Sequence, residues 1–283
     1  MKKLFALMLL GIAILGTATG NDLKRDGLFG KVHTLNQETW NVTNKFGGYV
    51  KESQSSKDFY VYDDKGNKTE WAIYQADGSL VIKCIYAYDD MGNWTGWANY
   101  CADGSLTYKR IYAYDDKGNM TEWASYNADG SLTEKCISSY DDKGNETEWA
   151  TYQADGSLSD KRISSYDDKG NETEWATYQA DGSLSAKGVS TYDDKGNKTK
   201  KVEYNADGSQ KRKYIYAYDD KGNMTEWASY NADGSLESRE AYTYEYDEPG
   251  NWTKKTENME VSKFGKVFFE PQVVTFREIT YYP

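Results

Sequence analysis

The sequence is poor in the residues on which many enzymes depend. Its 283 residues include one histidine, three cysteines and three prolines. A Ser-His-Asp or Cys-His nucleophile system would need His33, and no serine or cysteine is placed around it in a recognisable way. Zinc sites need histidine and cysteine ligands that the chain lacks. We therefore expect a protein that is not an enzyme, with no cofactor and no metal centre.

Long hydrophobic runs are also scarce, and the one that exists stands at the start. Lys2 and Lys3 precede an apolar run from Leu4 to about Leu15, followed by small residues up to Gly20. This layout is typical of a secretory signal peptide, over residues 1–20, and its apolar segment is too short for a permanent membrane helix. No later stretch reads as a transmembrane segment. The expected location is the periplasm, the cell surface or the medium.

Basic residues are outnumbered by acidic ones. Without the two lysines of the signal peptide, 32 basic residues face 45 acidic residues, a net charge of −13. An acidic body repels phosphate backbones and anionic lipid surfaces, so the charge argues against nucleic acid or a charged membrane as the partner.

What the chain does have is a repeat of 26 residues. The signature Tyr-Asp-Asp-x-Gly-Asn begins at seven positions with that spacing, and the variant Tyr-Asp-Glu-Pro-Gly-Asn follows after 28 residues, at Tyr246. Self-similarity at a fixed period predicts a repeat architecture. The seven signatures start at Tyr62, Tyr88, Tyr114, Tyr140, Tyr166, Tyr192 and Tyr218.

Each unit contains two turn signals and two strand signals. The loops 64–66 and 76–78 each end in glycine and fit a three-residue hairpin loop, in which the glycine takes positive φ. Asp63 and Asp77 are suited to accept hydrogen bonds from nearby backbone amides. The segments between the loops are rich in Trp, Tyr, Thr, Ile and Val, which favours strands and not helices.

Tight turns join successive strands in antiparallel pairs, so the fold class is all-β. We expect an antiparallel meander of two-stranded repeats, roughly 16 to 19 strands, forming a long twisted or spiralling sheet with capped ends. Residues 21–58 are predicted to form an N-terminal capping hairpin, 59–251 the tandem repeats and 252–283 a C-terminal capping segment, because exposed edge strands would recruit other chains.

The cysteines are not spaced as a disulfide framework. Cys84 and Cys136 occupy the same place two repeats apart, which in such a sheet separates them by roughly 19 Å. A disulfide needs Cα atoms within about 7 Å. Cys101 stands at a different repeat position beside a turn, so we expect three free thiols.

A ladder of tryptophans is the candidate functional site. If Gln75 faces Ser79, each tryptophan lies opposite a cation on one face, together with Ile and Thr, and we expect this face to point inward. Such indoles either pack as core or stack against the apolar face of a sugar. The predicted pairs are Trp71 with Lys83, Trp97 with Lys109, Trp123 with Lys135, Trp149 with Lys161, Trp175 with Lys187, and Trp227 with Arg239.

The Tyr-Asp-x-x-Gly-Asn signatures resemble the YD (RHS-type) repeat of bacterial cell-surface and secreted proteins. The other half of the unit, Tyr-Asn-Ala-Asp-Gly-Ser-Leu at Tyr126 and Tyr230, is similar to the MORN-type hairpin repeat. The resemblance covers roughly residues 62–251 and is specific for β-hairpin repeats. It implies a role in carbohydrate binding, adhesion or the enclosure of another protein.

The sequence therefore predicts an exported, non-catalytic interaction or scaffold module with a protein or glycan partner at the cell surface. The alternative is a multivalent carbohydrate-binding protein that uses the tryptophan ladder. Two further readings of the turns stay open. Asp63, Asp64 and Asn67 could bind calcium weakly, although Lys65 interrupts the ligand set, and the Asn-x-Thr triplets match glycosylation acceptors.

Overall fold

The computed structural model describes residues 22–45 and 48–283, so the predicted signal peptide lies outside the described residues. The described residues form one short helix and 18 strands. In chain order these are α1 Asp22–Arg25, β1 Val32–Lys45, β2 Gly48–Tyr62, β3 Lys68–Tyr74, β4 Leu80–Tyr88, β5 Trp94–Cys101, β6 Leu106–Tyr114, β7 Met120–Asn127, β8 Leu132–Tyr140, β9 Glu146–Gln153, β10 Leu158–Tyr166, β11 Glu172–Gln179, β12 Leu184–Tyr192, β13 Lys198–Asn205, β14 Gln210–Tyr218, β15 Met224–Tyr230, β16 Leu236–Tyr246, β17 Trp252–Lys263 and β18 Lys266–Tyr281.

The sheet is an antiparallel meander, as predicted, but it closes on itself. Each strand pairs with its neighbours in the chain, and β1 pairs with both β2 and β18. The expectation of an open sheet with capped ends is therefore wrong. The two terminal segments do not cover free edges, because they pair with each other from Val32–Tyr281 to Asn41–Val273 and complete a barrel.

The predicted turns are confirmed. In the first repeat the Gly66 amide donates to the Asp63 carbonyl and the Asp63 amide to the Asn67 carbonyl. Gly66 has φ 86° and Gly78 has φ 83°, the left-handed region that glycine enters without steric cost. The Asp63 carboxylate accepts the amides of Lys65 and Asn67 at 3.0 and 2.8 Å.

A β-bulge begins each repeat strand and changes the predicted register. Tyr74 faces Leu80 as expected, but Ile73 then faces Ile82, so Val81 has no partner. At the other end of the unit Thr69 is skipped in the same way, and its hydroxyl donates to the Val61 carbonyl at 3.3 Å. A shift of one residue moves every later side chain to the other face. The threonine of the Asn-x-Thr triplet in each repeat is thus a bulge residue.

The helix α1 lies against the turn between β2 and β3 and the nearby ends of β3–β5, where the Leu23 amide donates to the Gly66 carbonyl and the Arg25 guanidinium stacks on Trp94. Leu23, Leu28 and Leu35 form a buried cluster with Val32 and Tyr62. The buried Asp22 carboxylate accepts the backbone amide of Lys68 at 2.7 Å and also the hydroxyl of Tyr88. The described part of the chain contains no helix with the length and hydrophobicity of a membrane span.

Asn251 joins the two ends of the chain. Its side-chain amide donates to the Phe29 carbonyl and the Tyr281 hydroxyl at 2.9 and 2.8 Å, and its oxygen accepts the Phe29 amide at 2.6 Å. The equivalent Asn197 side chain bonds within its own turn, to Asp193. A buried donor or acceptor that loses its partner destabilises a fold by about 1–3 kcal/mol.

We expect Asn251→Ala to lower the free energy of unfolding by about 1–3 kcal/mol more than the matched variant Asn197→Ala. Urea denaturation followed by circular dichroism measures both. Equal losses in the two variants would mean that Asn251 does not hold the closure of the sheet.

Candidate functional site

One face of the closed sheet carries all six tryptophans of the predicted ladder. We name it the aromatic face and define it by Trp71, Trp97, Trp123, Trp149, Trp175 and Trp227. Each indole is half-buried, so none is enclosed in a dry core. Five of them lie on the successive strands β3, β5, β7, β9 and β11, and Lys201 takes the equivalent position on β13 before Trp227 on β15.

The predicted partners of these tryptophans are on the opposite face. Because of the bulge, Lys83 faces Ala72, whereas Trp71 faces Cys84. The predicted pairing of indoles with cations is therefore wrong in all six hairpins, and Ile85 also leaves the tryptophan face. The displaced cations are Lys83, Lys109, Lys135, Lys161, Lys187 and Arg239.

The structure places other side chains beside the indoles. In the hairpins that contain them, the tryptophans face residues of several chemical types, two of which are arginines. A register without the bulge would place Arg110 and Arg162 on the face opposite the tryptophans. The partners, in order from Trp71 to Trp227, are Cys84, Arg110, Cys136, Arg162, Gly188 and Glu240.

Arg110 holds several groups of the aromatic face together. Its guanidinium lies 3.7 Å from the ring centre of Trp123. It donates to the Ser125 hydroxyl at 2.9 Å and forms an ion pair with Glu134 at 3.2 Å. A guanidinium stacked on an indole and bonded at its edge fixes the orientation of that ring.

The aromatic face divides into two arcs according to the residue that lies opposite each tryptophan on the preceding strand. In the tyrosine arc this residue is a tyrosine, and rings of this arc contact each other. The tyrosines are Tyr60, Tyr86, Tyr112 and Tyr216. Tyr60 stacks on Trp71 with ring centres 6.4 Å apart, and Tyr112 accepts a hydrogen bond from the Trp97 indole at 2.9 Å. Ring contacts of this kind cover the indoles.

In the serine arc the corresponding residues are small. Ser138 faces Trp149 and Ser164 faces Trp175, while Ser190 faces Lys201. Serine cannot cover an indole as tyrosine does. This arc spans β8–β13 and is the part of the aromatic face with room beside its rings.

Trp149 is the indole with the fewest contacts in the serine arc. Trp175 lies under the guanidinium of Arg162, 4.7 Å from the ring centre, and over Gly188, where a Cβ would come within 2.5 Å of the ring. Among the described residues, no aromatic ring or cation stacks on Trp149, and no acceptor takes its indole N–H. Its ring is open in the sense that none of the described rings or cations covers it.

Charged side chains occupy the first position after the Tyr-Asp turn in each repeat of this arc: Glu146, Glu172 and Lys198. Glu172 accepts hydrogen bonds from Arg162 and Ser164 at 2.5 and 2.6 Å. For Glu146, one repeat earlier, burial raises the pKa of the carboxyl. Lys198, one repeat later, has its pKa lowered by burial. Trp149 thus has hydroxyls, a guanidinium and carboxylates around it.

The opposite face alternates apolar and charged residues, and we name it the isoleucine face. Lys83 pairs with Glu70 at 2.5 Å, and Lys109 lies 5.6 Å from the ring centre of Tyr126. The isoleucines themselves are 36–46% exposed. They are Ile85, Ile111, Ile137 and Ile163.

The cysteine thiols and the histidine, which could act as nucleophiles or metal ligands, are not arranged as a reactive or metal-binding group in the described part of the chain. Burial raises the pKa of the Cys84 and Cys136 thiols to about 11, so both are protonated at neutral pH. The His33 ring packs 4.5 Å from that of Tyr282. In the described ranges no group of three His, Cys, Asp or Glu side chains could hold a metal ion. The three cysteines are free.

Comparisons with known proteins give distant likenesses only. No protein family and no curated protein matches the sequence. Among solved structures, a porin-like protein from Bacteroides uniformis is 14% identical, with a TM-score of 0.45, over 88% of this chain and 96% of that chain. A porin-like protein from Bacteroides vulgatus is 10% identical, with a TM-score of 0.28, over 87% and 99%.

A third similar structure is the Tc holotoxin pore of Photorhabdus luminescens. It is 13% identical, with a TM-score of 0.25, and the match covers 82% of this chain but 16% of that chain. No activity follows from similarities at this level. The resemblance to YD and MORN repeats stays a prediction.

The new register predicts which cation controls the Trp97–Trp123 region. We expect Arg110→Ala to shift the indole emission and to lower the free energy of unfolding by about 1–3 kcal/mol, because it removes the stacked guanidinium and leaves Ser125 without its donor. Lys109→Ala, its neighbour on the isoleucine face, should leave the emission unchanged. If Lys109→Ala shifts the emission and Arg110→Ala does not, the pairing of Trp97 with Lys109 is correct and the bulge is contradicted.

The two glutamates of the serine arc should respond oppositely to the loss of charge. A carboxyl whose pKa is raised on folding destabilises the protein as pH rises through that pKa. At pH 7, we expect Glu146→Gln to be at least as stable as the native chain. Glu172→Gln should be less stable, because Arg162 loses its charged partner. Thermal unfolding at pH 4 and pH 7 tests this, and loss of stability in Glu146→Gln alone contradicts it.

Proposed function

We propose that this chain is an exported, non-catalytic binding protein of the cell envelope whose aromatic face binds carbohydrate. The observation that supports it most directly is the open ring of Trp149 in the serine arc. Sugars present an apolar face that stacks on an indole and hydroxyls that need hydrogen-bond partners. Around Trp149 the chain offers both, with Arg162 across the sheet on one side and Ser138 on the other.

The non-catalytic part of the proposal is supported by how the acidic groups are used. A glycosidase needs two carboxyls in different environments at one defined spacing. The aspartates of the repeat turns accept hydrogen bonds from their own turn backbone, as Asp89 does from the amides of Met91 and Asn93 at 2.9 and 2.8 Å. The Asn93 side-chain amide donates to the same carboxylate at 2.9 Å, and this bond together with the backbone bonds lowers the pKa of Asp89, which keeps the carboxyl ionised rather than available as an acid.

A second candidate is a scaffold that binds another protein through the isoleucine face. It is favoured by the row of exposed isoleucines, which recurs every 26 residues from Ile85 to Ile163. Apolar side chains in a regular row with charged neighbours form a surface suited to an extended protein partner.

The experiment is a glycan-array screen of the mature chain, followed by titration of the indole emission with each glycan that binds. We expect Trp149→Ala to weaken binding by about tenfold or more, equal to the loss of about 1.4 kcal/mol. Trp175→Ala is the matched control, since the two tryptophans lie within identical eight-residue strands, Glu146–Gln153 and Glu172–Gln179.

The control should retain its affinity within about threefold, because Trp175 is already covered by Arg162 and Gly188. Binding that depends equally on both tryptophans would place the ligand elsewhere on the aromatic face. Absence of any glycan bound by the array would contradict the proposed function and favour the scaffold.

A further inference from the structure

Two adjacent hairpins extend beyond the repeat hairpins at one end of the ring: β1–β2, whose pairing continues to Lys45–Gly48, and β17–β18, whose pairing continues to Lys263–Lys266. Strand β17 last pairs with β16 at Met259–Glu240, and β18 first pairs with β1 at Val273–Asn41. Residues 260–263 therefore pair only with residues 266–269, from Glu260–Phe269 to Lys263–Lys266, and Glu270 and Pro271 pair with Met259 and Asn258. We name residues 260–272 the projecting hairpin. Its turn lies at the end of the ring opposite the Tyr-Asp turns.

The projecting hairpin is apolar on both of its faces. Phe268 lies opposite Val261 on one face, and Val267 and Phe269 are on the other. Val267 is 60% exposed and Phe268 44%. Phe269, nearer the ring, contacts the Arg239 guanidinium 5.5 Å from its ring centre. Apolar groups on opposite faces of a thin hairpin cannot all be covered by one flat protein surface.

The turn of this hairpin places a bulky aromatic residue, Phe264, in the left-handed backbone conformation. Phe264 has φ 52°, and within the described ranges it is the single residue other than glycine with positive φ. Such a conformation is costly for a bulky side chain, and Asn or Gly is usual in a two-residue hairpin turn. The Phe264 side chain is fully exposed, so packing within the chain does not offset this strain. Strain of this kind marks functional positions.

Lysines flank the apolar tip. Lys263 and Lys266 are both exposed on either side of Phe264 and Gly265, and Lys263 pairs with Glu270 at 2.7 Å. Aromatic residues at an apex with lysines just behind it are suited to the boundary between acyl chains and phosphate groups, where the lysines stay in the charged layer.

We propose that the projecting hairpin docks the ring on an anionic phospholipid surface, with Phe264 inserted at the level of the headgroups. The net charge of the mature chain argued against such a surface, but that charge belongs to the body of the ring. Lys263 is balanced by Glu270, so Lys266 supplies the attraction at the tip, and together with repulsion of the acidic body it favours an approach by the tip. The inference concerns a different part of the molecule from the proposed carbohydrate site.

The test is co-sedimentation of the mature chain with two kinds of vesicle, one of phosphatidylcholine and one of phosphatidylcholine with phosphatidylglycerol. We expect binding to the anionic vesicles. Phe264→Asn should weaken this binding by about tenfold, since it removes the aromatic side chain that inserts among the lipid headgroups. Because asparagine tolerates the left-handed conformation, this variant should unfold at the same temperature as the native chain or higher.

Met91→Asn is the matched control. Met91 is 69% exposed in a turn at the opposite end of the ring, so its loss should leave vesicle binding unchanged. Lys266→Gln should weaken binding to the anionic vesicles. The proposal is overturned if the native chain binds neither vesicle, if Phe264→Asn binds as well as the native chain, or if that variant instead dissociates a dimer in sedimentation velocity.

Discussion

The bulge that begins each repeat strand is the constraint on which the rest of this structure depends. The three-residue turn sets the first pair, Tyr74 with Leu80, and the bulge then moves all later pairs by one residue. Side chains alternate between faces with a period of two, so this single unpaired residue decides the composition of both faces. Without it, Trp97 would face Lys109; with it, Trp97 faces Arg110.

Closure of the sheet follows from length and from the terminal segments together. An open sheet of 18 strands would curl strongly and leave two edges able to pair with other chains. Pairing of β1 with β18 removes both edges. The closing contacts involve the ends of the chain, since Asn251 binds Phe29 and Tyr281, whereas the equivalent Asn197 bonds within its own turn. The irregular ends thus specify the closure that the regular repeats cannot.

The sequence was sufficient to predict the strands, the turns and the meander, because each depends on local chemistry that every repeat restates. Gly66 and Asp63 are informative since only a few residues suit positive φ or bond a turn backbone. The register failed because a bulge is not visible in the alternation of residue types. An available signal was the threonine at the bulge position of some of these hairpins, such as Thr107, whose hydroxyl donates to the Asn99 carbonyl across the bulge. Closure was missed because the pairing of β1 with β18 joins residues about as far apart as the chain allows.

Repetition of a sequence does not produce repetition of a site. Strands β9 and β11 have the same eight residues, yet Trp149 and Trp175 have different surroundings. The difference comes from the flanking strands, since Arg162 follows Trp149 across the sheet while Gly188 follows Trp175. Arg162 then stacks on Trp175 and not on Trp149. A duplicated unit therefore gains a distinct chemical environment from substitutions in its neighbours, and in this ring the distinct environments are grouped in the serine arc.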